Sequence, residues 1–429
     1  MKKGLGRTRS GLIAALDVGS SKTCCFIARM GEDWRPRVVG IGQQASQGLR
    51  LGTVVDLDAA TQSIGKAVHA AEQMAGEQVD SVVVNLSGGG PSSRTVSVEV
   101  AISGHEIGQA DVRRAIDECH ALDGQAQGEA AGRQLIHSIP ISYQVDGSRG
   151  IRDPRGMYGE RLAVDLHTVS AATGALRNLS TCIERAHLQV GGVVVSPYAS
   201  GLAALVEDEM ELGVTLVEMG GGTTSMAVFF EGNVIYTDVL PVGGNHVTND
   251  IARGLSTPRA HAERMKTLYG HAMATAADER EMIDVPQVGE DETTGIQQVP
   301  RSLLVGIIQP RVEETFELVR NRLEASGFDR VAGRRVVLTG GACQLPGLRE
   351  LASLVLDKQV RVGRPLRVRG LADVTSGPTY ATCAGLLTYA VAANLTQPQP
   401  GGRGEDDKTA AKGSDGPIRR LGHWLKEHF

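Results

Sequence analysis

Leu16-Asp17-Val18-Gly19-Ser20-Ser21-Lys22-Thr23 and Val217-Glu218-Met219-Gly220-Gly221-Gly222-Thr223-Thr224 decide how this chain is read. Each stretch is an apolar strand, an acid, a turn of small residues and the start of a second strand. Each therefore predicts a β-hairpin whose tip exposes backbone N–H groups. Successive N–H groups form an anion-binding concavity, so two such tips facing each other could cradle the phosphates of a nucleotide. The acid ahead of each turn, Asp17 or Glu218, then stands near a Mg²⁺ ion or an attacking water. One small-residue tip alone is an ordinary hairpin turn; the matched pair points to phosphate chemistry. A third stretch, Val336-Val337-Leu338-Thr339-Gly340-Gly341, is a strand that runs into a diglycine and a helix start, where a base or ribose can lie against bare backbone.

Around these anchors the pattern alternates between strands and helices and favours a covered α/β sheet. Gly11 to Ala28 reads as a strand pair, followed by strands at Arg37 to Ile41 and Gly52 to Asp56. A helix over Leu57 to Ala75 has Asp56 or Asp58 as its N-cap and Gly76 as its stop. Short alternating segments from Val82 to His167 surround one helix, Gln109 to Ala121, and look like a small α/β insert. Helices are expected at Leu176 to Ala186, Tyr198 to Glu209, Asn245 to Gly254, Pro258 to Tyr269, Ser302 to Ala325 and Pro378 to Ala393, with strands at Val190 to Val195, Gly213 to Glu218 and Arg335 to Leu338. Ala274 to Gln298 reads as an acidic, strand-poor loop.

The 429 residues allow several domains. Their 54 glycines are nearly twice the usual ~7%, against only six Phe, two Trp and seven Tyr, so the cores must be aliphatic. A net charge of −5 supplies no overall field for a phosphate polymer, and nucleic acid is not an expected partner. The six cysteines have no CxxC spacing and suit free thiols in a reducing cytoplasm. Lys2, Lys3, Arg7 and Arg9 before Leu12 imitate an export signal, but Asp17 stops the apolar run short, which reads instead as a buried strand. No run of 18 apolar residues occurs. Gly40-Ile41-Gly42-Gln43-Gln44-Ala45 lacks the helix a dinucleotide fingerprint requires. Asn85-Leu86-Ser87 and Asn178-Leu179-Ser180 match glycosylation acceptors that a chain without an export signal never uses.

The two phosphate hairpins and the adenosine diglycine, in this order, resemble the actin, sugar-kinase and heat-shock chaperone superfold. Ser200-Gly201 to Leu205 and Ala384-Gly385-Leu386 resemble its two connecting helices. More closely, Glu211 to Thr223, Leu240-Pro241-Val242-Gly243-Gly244-Asn245 to Ile251, Ala262 to Lys266, Ile136 to Pro140, Gly150 to Met157 and Gln309-Pro310-Arg311 resemble the FtsA family of bacterial actin-like division proteins, from about Gly11 to Tyr389. The resemblance implies an actin-like α/β fold, ribonuclease H-like and duplicated, with two lobes and a relocated subdomain IC. Subdomain IA would comprise residues 11–83, 168–210 and 376–395, the SHS2-like IC insert 84–167, IIA 211–250 and 311–375, and IIB 251–310.

By the same resemblance the chain binds ATP with Mg²⁺. Asp17 would hold the metal through water, and Asp17 with Glu218 would be the catalytic acids. Gly19, Ser20, Ser21, Lys22, Gly220, Gly221, Gly222 and Thr223 would bind phosphates, Glu263 and Lys266 the ribose and adenine side, and Gly340 with Gly341 the adenosine. Glu218 stands where the superfold usually has Asp. One extra methylene displaces the carboxylate enough to disturb a geometry-dependent phosphoryl transfer, so binding with slow turnover is expected.

Residues 396–416 are rich in Pro, Gly, Asp and Lys and read as a flexible linker. In 417–429, Ile418, Leu421, Trp424, Leu425 and Phe429 fall within roughly 140° of a helical wheel, with Arg419, Arg420 and Lys426 opposite, the pattern of a helix lying in an anionic membrane interface. The resulting expectation is a protein that polymerises with itself and lies on the inner face of the cell membrane at the division septum. It would bind the C-terminal tail of FtsZ, with Arg301 and Arg311 as the first residues to search, and recruit later division proteins. A soluble kinase of the same superfold and an adaptor of a pilus or secretion assembly remain as alternatives.

Overall fold

The computed structural model describes residues 11–31, 35–127, 132–290 and 295–396. The chain opens with β1 (Leu12–Val18), β2 (Lys22–Met30) and β3 (Pro36–Ala45), a small hairpin of β4 (Leu49–Arg50) and β5 (Thr53–Val54), helix α1 (Leu57–Ala75) and β6 (Ser81–Leu86). The insert follows as β7 (Ser92–Ala101), α2 (Gln109–Gln127), β8 (Arg133–Val145), β9 (Ser148–Ile151) and β10 (Arg161–Ala172). Next come α3 (Thr173–Arg185), β11 (Gln189–Val195), α4 (Ser196–Ala204) and α5 (Glu207–Leu212). The second half contains β12 (Val214–Met219), β13 (Thr224–Phe230), β14 (Asn233–Leu240), α6 (Gly244–Gly254), α7 (Arg259–Tyr269), β15 (Met282–Pro286), β16 (Ile296–Pro300), α8 (Arg301–Ser326), β17 (Arg335–Thr339), α9 (Leu348–Leu356), β18 (Gln359–Val362) and α10 (Ala381–Thr396).

Two sheets repeat one pairing scheme. In the first, β11, β6 and β1 run parallel and the hairpin β1–β2–β3 continues antiparallel. In the second, β18, β17 and β12 run parallel and β12–β13–β14 continues antiparallel. The insert extends the second sheet beyond β14 in the order β7, β10, β8, β9, joined through the single pair Asp238 and Ser92. Its inner face packs on α2 through Val98, Val100, Leu162, Val164 and Cys119. The parallel pairing of β6 with β1 and β11 keeps residues 84–86 in the first sheet.

Between the two sheets lie α4 and α10, the helices the resemblance singled out. They share a core with Phe26, Phe229, Tyr198, Leu202, Leu386 and Leu387. The helices cross so closely that a Cβ on Gly385 would fall 1.7 Å from the Ala199 carbonyl oxygen. This layer gathers several of the chain's few aromatics, Phe26, Tyr198, Phe229 and Tyr380, among aliphatic side chains.

Local signals place several elements where they were expected. Asp56 caps α1 by accepting from the N–H groups of Asp58 and Ala59, and Gly76 stops it at φ 73°. All of β1 is buried, consistent with the strand reading of Leu12 to Leu16. Two expectations need correction. The single helix expected over Tyr198 to Glu209 is two, because Leu205 and Val206 turn extended before α5. Part of the strand-poor stretch 274–298 forms the hairpin β15–β16, whose inward residues Ile283, Val285 and Val299 are buried while its acidic and polar residues face out. All six cysteines are buried and unpaired. No helix among the described residues is long and apolar enough to cross a membrane. The linker from residue 397 and the amphipathic segment 417–429, with Ile418, Arg419, Arg420, Leu421, Trp424, Leu425, Lys426 and Phe429, lie outside the described residues.

Candidate functional site

The two quoted stretches form matching tips. Gly19 N–H donates to the Lys22 carbonyl at 3.0 Å, and Gly220 N–H to the Thr223 carbonyl at 2.8 Å, leaving Ser20-Ser21 and Gly221-Gly222 at the turns. The tips meet: a Cβ on Gly221 would fall 2.0 Å from Ser21 Oγ, and one on Gly222 would fall 2.4 Å from Ser20 Oγ. The Gly243-Gly244 turn braces the second tip. Gly244 and Asn245 donate their N–H groups to the carbonyls of Gly220 and Gly221 at 3.0 and 2.7 Å, and Ser21 Oγ reaches Asn245 Oδ1 at 3.2 Å.

Behind the tips stand the two acids, both near the ends of strands that lie inside their sheets. Asp17 is 8% exposed, and its Oδ1 accepts from Asn85 Nδ2 at 2.8 Å. Burial pushes its carboxyl up to about 6, with Lys22 pulling the other way. Glu218 Oε1 accepts from Thr382 Oγ1 at 2.7 Å, and Thr382 is in turn within 3.0 Å of Ser200 Oγ. Its other oxygen, Oε2, is shut from solvent with no hydrogen-bond partner among the described residues. Burial, opposed by the Thr382 and Ser200 hydroxyls and reinforced by the Asp17 charge, pushes Glu218 up to about 7. A buried carboxylate oxygen without a donor is costly unless a cation or a bound water meets it.

Beside the tips opens a cavity of about 460 Å³, lined by Ser21, Gly221, Gly244, Glu263, Lys266, Gly341, Gln344 and Thr379 among others. The structure thus brings the expected ribose-side, adenosine-side and tip residues to one wall-to-wall space, within the usual size of a small-molecule pocket. Gly340, at φ 87°, passes so close to β12 that a Cβ would lie 2.4 Å from the Met219 carbonyl oxygen. Lys266 Nζ donates to Glu263 Oε2, Thr248 Oγ1 and the Gly244 carbonyl at 2.8, 2.9 and 3.2 Å, tying α7 to the start of α6. Burial raises Glu263, but the hydrogen bonds from Lys266 and Thr248 outweigh it and hold the carboxyl below its ordinary range. Lys22 points away from the tips here, donating to the Thr379 carbonyl at 3.2 Å and lying 3.6 Å over the Tyr380 ring.

Two expected residues lie elsewhere. Arg301 donates to the Tyr269 carbonyl and pairs with Asp278 and Glu281 at 3.0 and 2.9 Å. Arg311 pairs with Asp250 and Glu314. Both guanidinium groups are engaged within the chain. Sequence reasoning missed Asn85, Thr382 and Asn245, which hold the acids and the tips. Each is far along the chain from its partner, so no local pattern marks it. A wider groove of about 800 Å³ crosses the outer face of the insert past Glu231, but its central carboxylate, Asp165, is already satisfied by the hydroxyls of Ser97 and Ser142 at 2.5 and 2.6 Å.

Comparison with known proteins bears on both the fold and the family. The structure superposes on the PilM–PilN type IV pilus biogenesis complex with a TM-score of 0.64 at 18% identity, covering 88% of this chain and 98% of that one. It superposes on MreB5 of Spiroplasma citri bound to ADP with a TM-score of 0.50 at 12% identity, covering 89% and 97%. These establish an actin-like α/β fold. A family model described as "Cell division protein FtsA" matches residues 215–385, and one described as "SHS2 domain inserted in FTSA" matches residues 88–170. Cell division protein FtsA of Agrobacterium fabrum (strain C58) is 44% identical over 437 aligned residues, covering 100% of this chain and 97% of that protein. On that full-length identity the chain belongs to the FtsA family of cell division proteins.

Proposed function

We propose that this chain binds ATP with Mg²⁺ between its two tips, assembles into actin-like filaments, and tethers the FtsZ ring to the inner face of the cell membrane. Membership of the FtsA family sets aside the soluble-kinase and pilus-adaptor alternatives. The observation that carries the nucleotide reading is the pairing of matched tips with two acids behind them, Asp17 buried and Glu218 partly buried, the latter with an oxygen, Oε2, that has no hydrogen-bond partner among the described residues. The repeated pairing scheme of the two sheets supports a duplicated, ribonuclease H-like origin for the lobes that carry them.

The residues fit the cation. Mg²⁺ prefers oxygen ligands and retains several waters alongside one or two carboxylates and substrate phosphates, and the cleft offers two carboxylates without a complete protein cage. When bound, it would neutralise phosphate charge. Asp17 would orient its water shell, the N–H groups of Gly19 to Lys22 and Gly220 to Thr223 would receive phosphate oxygens, Lys22 would swing from Tyr380 to add charge, and Gly340-Gly341 with Glu263 and Lys266 would receive the nucleoside. Because the tips touch, a phosphate chain must part them. Glu218 reaches one methylene further from its strand than an aspartate would, so it should position an attacking water poorly and turnover should be slow.

Membrane attachment rests on the amphipathic pattern of 417–429. The FtsZ tail would dock on subdomain IIB, where Met282, Ile296 and Leu303 are exposed, and would have to compete with Asp278, Glu281, Asp250 and Glu314 for Arg301 and Arg311. Subdomain IC would meet the neighbouring protomer and later division proteins. Co-sedimentation with anionic liposomes, comparing the full chain with a truncation after Leu395, tests the tether. Vesicle binding should require the terminal segment, and equal sedimentation of both forms would overturn that part of the reading.

A further inference from the structure

We propose that Asn85 is a positioning residue that holds Asp17 for a nucleotide-bound divalent cation. The inference rests on the reading of the cleft as an ATP and Mg²⁺ site. Asn85 is the penultimate residue of β6, and the parallel register that pairs Leu16 with Val84 sets it beside Asp17. It is 3% exposed, and every hydrogen-bonding position of its amide group but one acceptor lone pair is in use. Nδ2 donates to Asp17 Oδ1 at 2.8 Å and to Ser196 Oγ at 3.1 Å, while Oδ1 accepts the Val18 N–H at 2.7 Å. One side chain therefore joins the acid, the residue that enters the first tip, and the first residue of α4.

The chemistry of the clamp matters as much as its geometry. A lysine or arginine at this position would neutralise Asp17 and compete with the cation. An amide orients the carboxylate through Oδ1 and leaves its negative charge in place, with no protein donor on Oδ2 among the described residues. The burial that satisfies the amide also removes Asn85 from consideration as a sugar acceptor, despite the Asn85-Leu86-Ser87 pattern. A merely structural asparagine would also be saturated. The two roles part in their dependence on metal: a structural loss weakens nucleotide binding equally with and without Mg²⁺, whereas a positioning loss weakens only the part that Mg²⁺ adds.

The test measures the dissociation constant of a fluorescent ATP analogue for the full chain in excess Mg²⁺ and again in EDTA, for the parent protein, Asn85→Ala and Ser196→Ala. For Asn85→Ala the gain conferred by Mg²⁺ should shrink about tenfold, the usual scale for removing an outer-shell partner of a ligand, while affinity in EDTA stays within about twofold. Ser196→Ala, which frees one end of the clamp, should show a smaller loss of the same kind and decides the matter if Asn85→Ala does not fold. An unchanged Mg²⁺ gain in folded variants, or an equal loss in both conditions, overturns the proposal. A parent protein that binds no nucleotide, or binds it with no Mg²⁺ gain, overturns the reading of the cleft itself.

Discussion

The two tips share one hairpin and are held by opposite means. Side chains hold the first: Asn85 clamps Asp17 and the Val18 N–H, and Ser20 Oγ accepts the Gly52 N–H at 2.8 Å. The second, whose acid is held by the Thr382 hydroxyl, is braced at its turn by bare backbone. Gly243 lies so close that a Cβ would fall 2.6 Å from the Gly220 carbonyl oxygen, and Gly340 crowds Met219 from the other side. A tip held by side chains loses one hydrogen bond at a time when it is mutated. A tip wedged between glycines has nowhere to put a methyl group, because main-chain atoms two strands deep cannot move aside.

The largest effect follows directly. Gly340→Ala combines a left-handed φ of 87° with a Cβ 2.4 Å from a carbonyl oxygen, and should cost about 3 kcal/mol or more in urea unfolding. Gly243→Ala should fall in the same class. A Gly340→Ala protein that unfolds within about 1 kcal/mol of its parent would break the distinction between the tips.

Buried titratable groups extend the contrast. Asp17 and Glu218 stand behind the two tips. His137, on β8 beside Tyr198 and Tyr389, and His167, on the neighbouring strand β10, are both buried, and burial pushes both imidazoles down to about 3. His137 Nε2 accepts the Val195 N–H at 3.1 Å, and both ring nitrogens of His167 lack a hydrogen-bond partner among the described residues. For these two histidines the unfolded chain binds the additional protons between an unfolded pKa near 6.5 and the folded value, so their contribution to stability falls as pH falls through that window. Asp17 and Glu218, raised to about 6 and about 7, bind protons on folding over the same range and oppose it, so the readable quantity is a difference between variants: from pH 7.5 to 5.5 in EDTA, His167→Leu should gain on the order of 1 kcal/mol relative to its parent. A pH dependence unaffected by His167→Leu would place the acid sensitivity elsewhere.

Legibility followed the same division. Signals confined to a few neighbouring residues were readable: Asp56 and Gly76 bound α1 as expected, and the acid-plus-small-turn pattern marked both tips. The diglycine was readable as a strand end, but its closeness to Met219 was not, since that contact joins residues more than a hundred positions apart. No pattern that Asn85, Thr382 or Ser200 belongs to marks it as a partner of the acids, and only the sheet register and the α4–α10 crossing bring them there. Met282 to Pro286 failed for a different reason. Its buried and exposed residues do alternate, but the strand is short and set in an acidic stretch, so composition outweighed periodicity.

The smallest expected effect is the sharpest probe of the tips, because it asks whether they meet in solution. Ser21→Gly removes an exposed hydroxyl whose partner, Asn245 Oδ1, lies 3.2 Å away, and should cost well under about 1 kcal/mol. Gly221→Ala drives a methyl group to within 2.0 Å of Ser21 Oγ and 2.9 Å of its Cβ, so it should cost more than the serine change does. In the double variant the missing Ser21 side chain leaves room for the new methyl group, and most of the Gly221→Ala penalty should vanish, a coupling of about 1 kcal/mol. Strict additivity would mean that the tips stand apart in the free protein. Coupling that disappears when ATP is added would show the phosphates parting them.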